Sequence, residues 1–202
     1  MDNADTVLAN EAVLKRRYRG PLTARVAQIL KRGLGSDDEV YCGHALPEGQ
    51  ESYKLGTLRL FCEREEAMLY LGYADIVVTR NGQVQTIIEV EESSFSPRAI
   101  MGDIDAYTRA EQVSSKYFKP LTIPPTVARV VLCAKQTRNA GQKLALYDEH
   151  AKRIAGQPGA ADPAYVGGFD YDRAGVHQPC SPDEETKAKE LANRIRGVAD
   201  LH

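Results

Sequence analysis

At 202 residues, with 43% hydrophobic and 27% charged residues and a net charge of −2, the chain has the make-up of one ordinary globular domain, which excludes wholesale disorder and fibrous repeats. No apolar run approaches the roughly 18 residues of a membrane span, and the opening MDNADTVLANEAVL lacks a basic stretch followed by a hydrophobic one, so a soluble cytoplasmic protein with no membrane partner is expected. Cys42, Cys62, Cys133 and Cys180 form no CxxC pair and fit reduced thiols, while the near-neutral charge excludes a strongly basic coat.

Residues 5 to 18 and 22 to 32 are predicted as helices, the second presenting Leu22, Val26, Ile29 and Leu30 on one face and stopping at Gly33 or Gly35. A strand is expected at 39 to 45 and a Pro- and Gly-punctuated loop at 45 to 52. Three strand-like runs follow, at 57 to 63, 68 to 79 and 83 to 91, with Asn81-Gly82 between the last two. Asn-Gly between β-branched residues predicts a hairpin, because both residues tolerate the positive φ of a type I′ turn.

Ser96-Pro97 reads as the N-cap and first residue of a helix whose buried stripe is Ile100, Ile104, Tyr107 and Val113, ending before Pro120. The run at 127 to 134 is apolar and β-branched, as a buried strand requires. A helix at 140 to 155, a long loop at 156 to 180 and a last helix opening on the capping box Ser181-Pro182-Asp183-Glu184 complete the chain. Ala188, Leu191, Ile195 and Val198 give that helix a narrow apolar seam for docking on the core or on a second copy. The expected whole is a single α/β domain over 1–202, a central mixed sheet flanked by helices with an added C-terminal helix.

The chemistry concentrates in GYADIVVTRNGQVQTIIEVEES, residues 72 to 93. Side chains alternate along a strand, so Glu89 and Glu91 share one face of 83 to 91 while Ile88 and Val90 share the other. If the hairpin pairs as expected, the strand with Asp75 lies about 4.8 Å away and brings up a third carboxylate. Acids this close raise one another's pKa unless a cation intervenes. Oxygen ligands of this kind suit Mg²⁺, with Mn²⁺ as a substitute. A half-exposed strand with Glu on its wet face, and Asp75 as a turn residue, accounts for the same residues nearly as well.

Asp75 after Ala74, then Glu89-Val90-Glu91 on the next strand, resembles the signature of the PD-(D/E)XK nuclease superfamily, the restriction-endonuclease-like fold. The order of helix, strands, hairpin, helix and strand over about 22–134 matches the core of that family. The resemblance implies a metal-dependent DNA endonuclease hydrolysing phosphodiester bonds, type II restriction being one role that family fills, with double-stranded DNA as partner and a homodimer to cut both strands. It implies that Asp75 and Glu89 hold Mg²⁺, with the Val90 carbonyl as a further ligand, and that Glu91 orients or deprotonates the water. Glu91 stands where the family has Lys, a departure that leaves a non-catalytic nucleic-acid- or protein-binding domain on the same fold as the alternative.

Arg16, Arg17, Arg19 and Arg25, in a first 35 residues where seven Lys and Arg against three acids leave +4, are candidates for phosphate contacts, a solvated helix face being the equal alternative. Glu11 reads as solvent-facing, Lys116 as no substitute for the missing Lys, and Cys42-Gly43-His44 as core or surface, since two ligands fall short of zinc spacing. Asp170 and Asp172 make an incomplete cation loop. Ser93 and Ser94 have no Gly-x-Ser-x-Gly around them, and neither GxxxxGK[ST] nor GxGxxG occurs.

Overall fold

The structure, a computed structural model, describes residues 21–46, 48–64, 67–92, 96–135, 139–158, 160, 164–171 and 182–201. The helix expected at 5 to 18, with Glu11, Arg16, Arg17 and Arg19, lies outside the described residues, as do Ser93, Ser94, Asp172, Cys180 and Ser181.

The chain runs α1 (Pro21–Gly33), β1 (Asp38–Cys42), β2 (Lys54–Leu55), β3 (Leu58–Arg64), β4 (Ala67–Ala74), β5 (Ile76–Arg80), β6 (Gln83–Glu91), α2 (Pro97–Arg109), β7 (Gln112–Ser115), β8 (Phe118–Thr122), β9 (Ala128–Ala134), α3 (Ala140–Ala155), β10 (Ala164–Phe169) and α4 (Pro182–Ala199). A mixed six-stranded sheet has the order β10-β9-β6-β5-β1-β2, and a four-stranded antiparallel sheet the order β4-β3-β7-β8. β5 and β6 are antiparallel with Ile76 opposite Ile88, while β6, β9 and β10 are parallel. Asn81 and Gly82 take φ of 51° and 75°, the left-handed pair that a type I′ hairpin turn demands.

The central sheet is covered on both faces. On one side Ile88, Val90, Val130 and Leu132 pack under Leu22, Val26 and Leu30 of α1 and Leu191 and Ile195 of α4. On the other, Ile87, Val131 and Cys133 meet Ile100, Ile104 and Tyr107 of α2, Tyr147 and Ile154 of α3, and Leu58, Leu60 and Val113 of the smaller sheet. Burying each such side chain contributes about 1.5–3 kcal/mol, so the alternation of β6 explains why the strand holds its register: a slip of one residue would drive Glu89 and Glu91 into the apolar layer under α1. The seam of α4 docks on α1 and the core of its own chain. Among the described residues no helix is long and apolar enough to cross a membrane.

Three expectations need correction. The run at 68 to 79 is two strands in two sheets, β4 and β5, divided at Asp75, because the polar residue interrupts the ladder where the chain crosses over. The helix opening at Pro97 ends at Arg109, and Val113 lies in the β7–β8 hairpin; the carbonyls of Tyr107 and Ala110 are drawn to the buried guanidinium of Arg129, which closes the helix there. The stretch at 156 to 180 holds β10, whose two glycines lower its intrinsic β-propensity but allow close packing: a Cβ at Gly168 would sit 2.7 Å from Leu144 Cδ2.

Candidate active site

Asp75 sits where the chain passes from the small sheet into the large one, at the end of the central sheet where the parallel strands β6 and β9 finish. In open α/β sheets the carboxyl ends of parallel strands form the crevice where ligands bind. Its backbone is held from two sides: Gly43 N–H donates to its carbonyl at 2.9 Å, and its own N–H donates to the Tyr107 hydroxyl at 3.2 Å. One carboxylate oxygen accepts from Val90 N–H at 2.9 Å and the other lies 2.7 Å from His44 Nε2. Four bonds therefore fix a residue that belongs to no strand.

The β5–β6 register ends with Ile76 opposite Ile88, so Asp75 and Glu89 are the residues just past its last pair. Tyr107 joins the two. Its hydroxyl oxygen accepts from Asp75 N–H and lies 3.0 Å from the Ile88 carbonyl and 2.6 Å from Glu89 Oε2. A phenol has one proton to give. If it goes to the carbonyl, Glu89 must be the donor and carry a proton; if Glu89 is ionised, the phenol turns to it. The electrostatics favour the protonated acid, because burial, then Asp75, then Asp103 raise the Glu89 pKa well above the ordinary carboxyl value, against the lowering effect of the phenol.

Asp103, one helical turn before Tyr107 on α2, is pushed up to about 6 by burial, then by Glu91 and Asp75. Glu91 is half-buried and lies opposite Cys133, whose thiol is raised to about 12 by burial, then by Glu91, Asp103 and Glu89. Asp75, Glu89, Glu91 and Asp103 thus form one cluster on the α2 side of the sheet. Across the sheet Glu92 accepts from the N–H and hydroxyl of Thr23, both at 2.6 Å, in the first turn of α1, where a helix favours negative charge.

The sequence-predicted Asp75, Glu89 and Glu91 come together as expected. Val90 contributes its amide to Asp75, and its carbonyl accepts a long 3.4 Å bond from Thr23 Oγ1, leaving room for a second partner on that oxygen. Arg25 pairs with Glu48 at 2.5 Å. Lys116 lies at the β7–β8 turn, over the ring of Tyr117. Cys42 is core, as read, but His44 is not an ordinary surface residue, since it holds Asp75. Tyr107 is expected from sequence only as part of a helix's buried stripe, and Asp103 is not singled out; their i, i+4 spacing on a helix packed over β6 is the available signal, and the crossing of α2 over the hairpin, which reveals it, depends on tertiary packing.

An all-oxygen donor set of clustered acids fits a hard divalent cation. Among the described residues no three His, Cys, Asp or Glu side chains close on one point, and Asp75 and Glu89 are the pair that could hold such an ion, with water completing its shell. His44 would act on such an ion through Asp75. His44→Ala is expected to weaken Mn²⁺ binding by about tenfold, the usual cost of losing an outer-sphere partner, with the fold retained by circular dichroism.

The raised acids also set a pH dependence. A carboxyl whose folded-state pKa lies above its unfolded value keeps a proton that the unfolded chain has lost, so it costs stability as pH rises between the two values. Glu89→Gln, which is neutral at every pH and still offers Tyr107 a donor, is therefore expected to stabilise the metal-free protein relative to wild type at pH 7. The gain should shrink toward pH 4 in urea melts. No family model, curated protein or solved structure matches the chain.

Proposed function

We propose that the protein is a Mg²⁺-dependent endodeoxyribonuclease that hydrolyses phosphodiester bonds, built on a restriction-endonuclease-like core of the PD-(D/E)XK kind. The observation that carries this reading is Asp75 and Glu89 just past the last pair of the β5–β6 hairpin, joined through the Tyr107 hydroxyl, with Glu91 two residues on, at the carboxyl ends of β6 and β9. The arrangement α1, β1, β5, β6, α2, β9 supports it, as helix, three antiparallel strands, helix and parallel strand.

Mg²⁺, when bound, would supply Lewis-acid stabilisation of the charge that develops on the phosphate. Asp75 and Glu89 hold it, and the bonds from Val90 N–H and His44 keep the Asp75 carboxylate aimed. Glu91 takes the proton of the attacking water as its oxygen bonds to phosphorus; the ester P–O bond breaks, and the departing oxygen gains a proton from solvent.

Incubating the protein with mixed-sequence DNA in Mg²⁺ or EDTA tests the reading: cleavage in Mg²⁺ alone, lost in Asp75→Asn and Glu89→Gln, supports it. The second reading, a non-catalytic DNA-binding domain, is favoured by Glu91 in the Lys position and by the bonds already made to both Asp75 oxygens. DNA retardation that weakens with salt, without cleavage, would select it.

A further inference from the structure

A second feature adjoins the carboxylate cluster. Between β4 and the first turns of α2 lies an open cavity of about 470 Å³, lined by Gly72, Tyr73, Arg98, Gly102 and Asp103 among others. Asp103 acts electrostatically on Glu89 and is acted on by Glu91 and Asp75, so the cavity and the candidate active site share a wall.

Gly102 stands inside α2, where glycine is destabilising relative to alanine. No atom lies within 4 Å of the position its Cβ would take, and the same holds for Gly72. Packing within the described chain therefore does not explain the absence of a side chain at 102; what it preserves is the cavity.

From Tyr73, a row of aromatic rings runs over the outer face of the small sheet. The Tyr73 and Tyr70 ring centroids are 5.5 Å apart and those of Tyr70 and Phe61 5.9 Å. Tyr73 is 58% exposed and Tyr70 46%, a display of large rings to solvent that the fold does not need for its own core. Exposed Arg59 lies directly across the ladder from Tyr73, and exposed Arg98 stands at the cavity. Rings in a row with interspersed guanidinium groups form the platform on which unpaired bases stack while their phosphates are neutralised; paired bases within a duplex do not offer their faces.

We infer that the Phe61-Tyr70-Tyr73 row and the Gly102 cavity bind an unpaired stretch of polynucleotide and lead it to the Asp75–Glu89 site. This rests on the nuclease reading for its destination and names the strand form of the substrate.

The test is fluorescence anisotropy in EDTA with a labelled single-stranded DNA 15-mer of mixed sequence, the RNA of the same sequence, and the DNA duplex. Cleavage in Mg²⁺ is measured in parallel. Wild type is expected to bind one or both single strands at least about tenfold more tightly than the duplex, and Tyr70→Ala and Tyr73→Ala each to lose about tenfold. Gly102→Leu should fill the cavity, raise the melting temperature and weaken single-strand binding.

Equal or tighter binding of the duplex, or single-strand binding unchanged in the Tyr and Gly102 variants, overturns the inference. So does a dimer, seen by sedimentation, that Tyr70→Ala dissolves while wild type ignores single strands. Single-strand binding without cleavage would sustain the platform and defeat the nuclease assignment. Duplex cleavage indifferent to Gly102→Leu would do the reverse.

Discussion

Asp75→Ala is expected to lower Mg²⁺-dependent DNA cleavage by at least about a thousandfold, since the several kcal/mol of transition-state stabilisation that a metal supplies depends on its anchoring ligand. Asp75 is held at both oxygens, by Val90 N–H and by His44, so its carboxylate is already oriented. Removing it also leaves Val90 N–H without its acceptor, which destabilises the end of β6 by about 1–3 kcal/mol. Asp75→Asn separates the two effects. The amide oxygen can still accept from Val90, so stability should largely return, whereas the anionic ligand does not and activity should stay lost. Initial-rate measurements on both variants, beside their urea melts, check this; activity within tenfold of wild type in Asp75→Asn would contradict it.

The largest effect on folding is expected at Arg129. Its side chain is 1% exposed, inside a strand otherwise wholly apolar and buried. The guanidinium donates to the carbonyls of Tyr107 at 2.9 Å, Val127 at 2.6 Å and Ala110 at 3.2 Å, and reaches those of Pro124 and Pro125 at 3.3–3.4 Å. Desolvation lowers its pKa to about 10, so it remains charged at neutral pH.

A buried cation is tolerated here because it meets a ring of carbonyls that end α2 and cross the 123–127 turn, and a positive charge complements a helix C-terminus. Arg129→Met keeps most of the apolar volume and removes all the donors. It is expected to cost about 3 kcal/mol or more in urea denaturation, because several buried carbonyls lose their partners at once. Since Tyr107 is the residue whose carbonyl Arg129 grips, the same variant should also loosen the phenol between Asp75 and Glu89 and weaken Mn²⁺ binding. A loss below about 1 kcal/mol would show that water replaces the guanidinium without penalty.

Local signals carried much of the fold. Asn81-Gly82 announced its hairpin because the turn demands a conformation that few residues adopt, and the alternation of 83 to 91 fixed both its strand and the face of Glu89 and Glu91. The helices at 21–33 and 140–155 were legible from period and punctuation. What stayed hidden depends on contacts distant in sequence. β10 exists because β9 offers it a parallel edge, its two glycines masking the strand signal of Tyr165, Val166 and Phe169. The division at Asp75 follows from two sheets competing for one continuous β-prone run.

The site divides the same way. Asp75, Glu89 and Glu91 are joined by a local hairpin and could be found from it. His44 reaches Asp75 across 31 positions and Tyr107 reaches Glu89 across 18, through packing that no short-range pattern encodes.

The proposed carboxylate metal site of Asp75 and Glu89 is tested, without knowledge of the substrate, by calorimetric titration of Mn²⁺ into wild type and into Asp75→Ala. One binding event is expected in wild type, accompanied by proton release because Glu89 must ionise to coordinate, and none in the variant. Absence of binding in wild type even with a DNA oligonucleotide present, or equal binding in the two proteins, would contradict it.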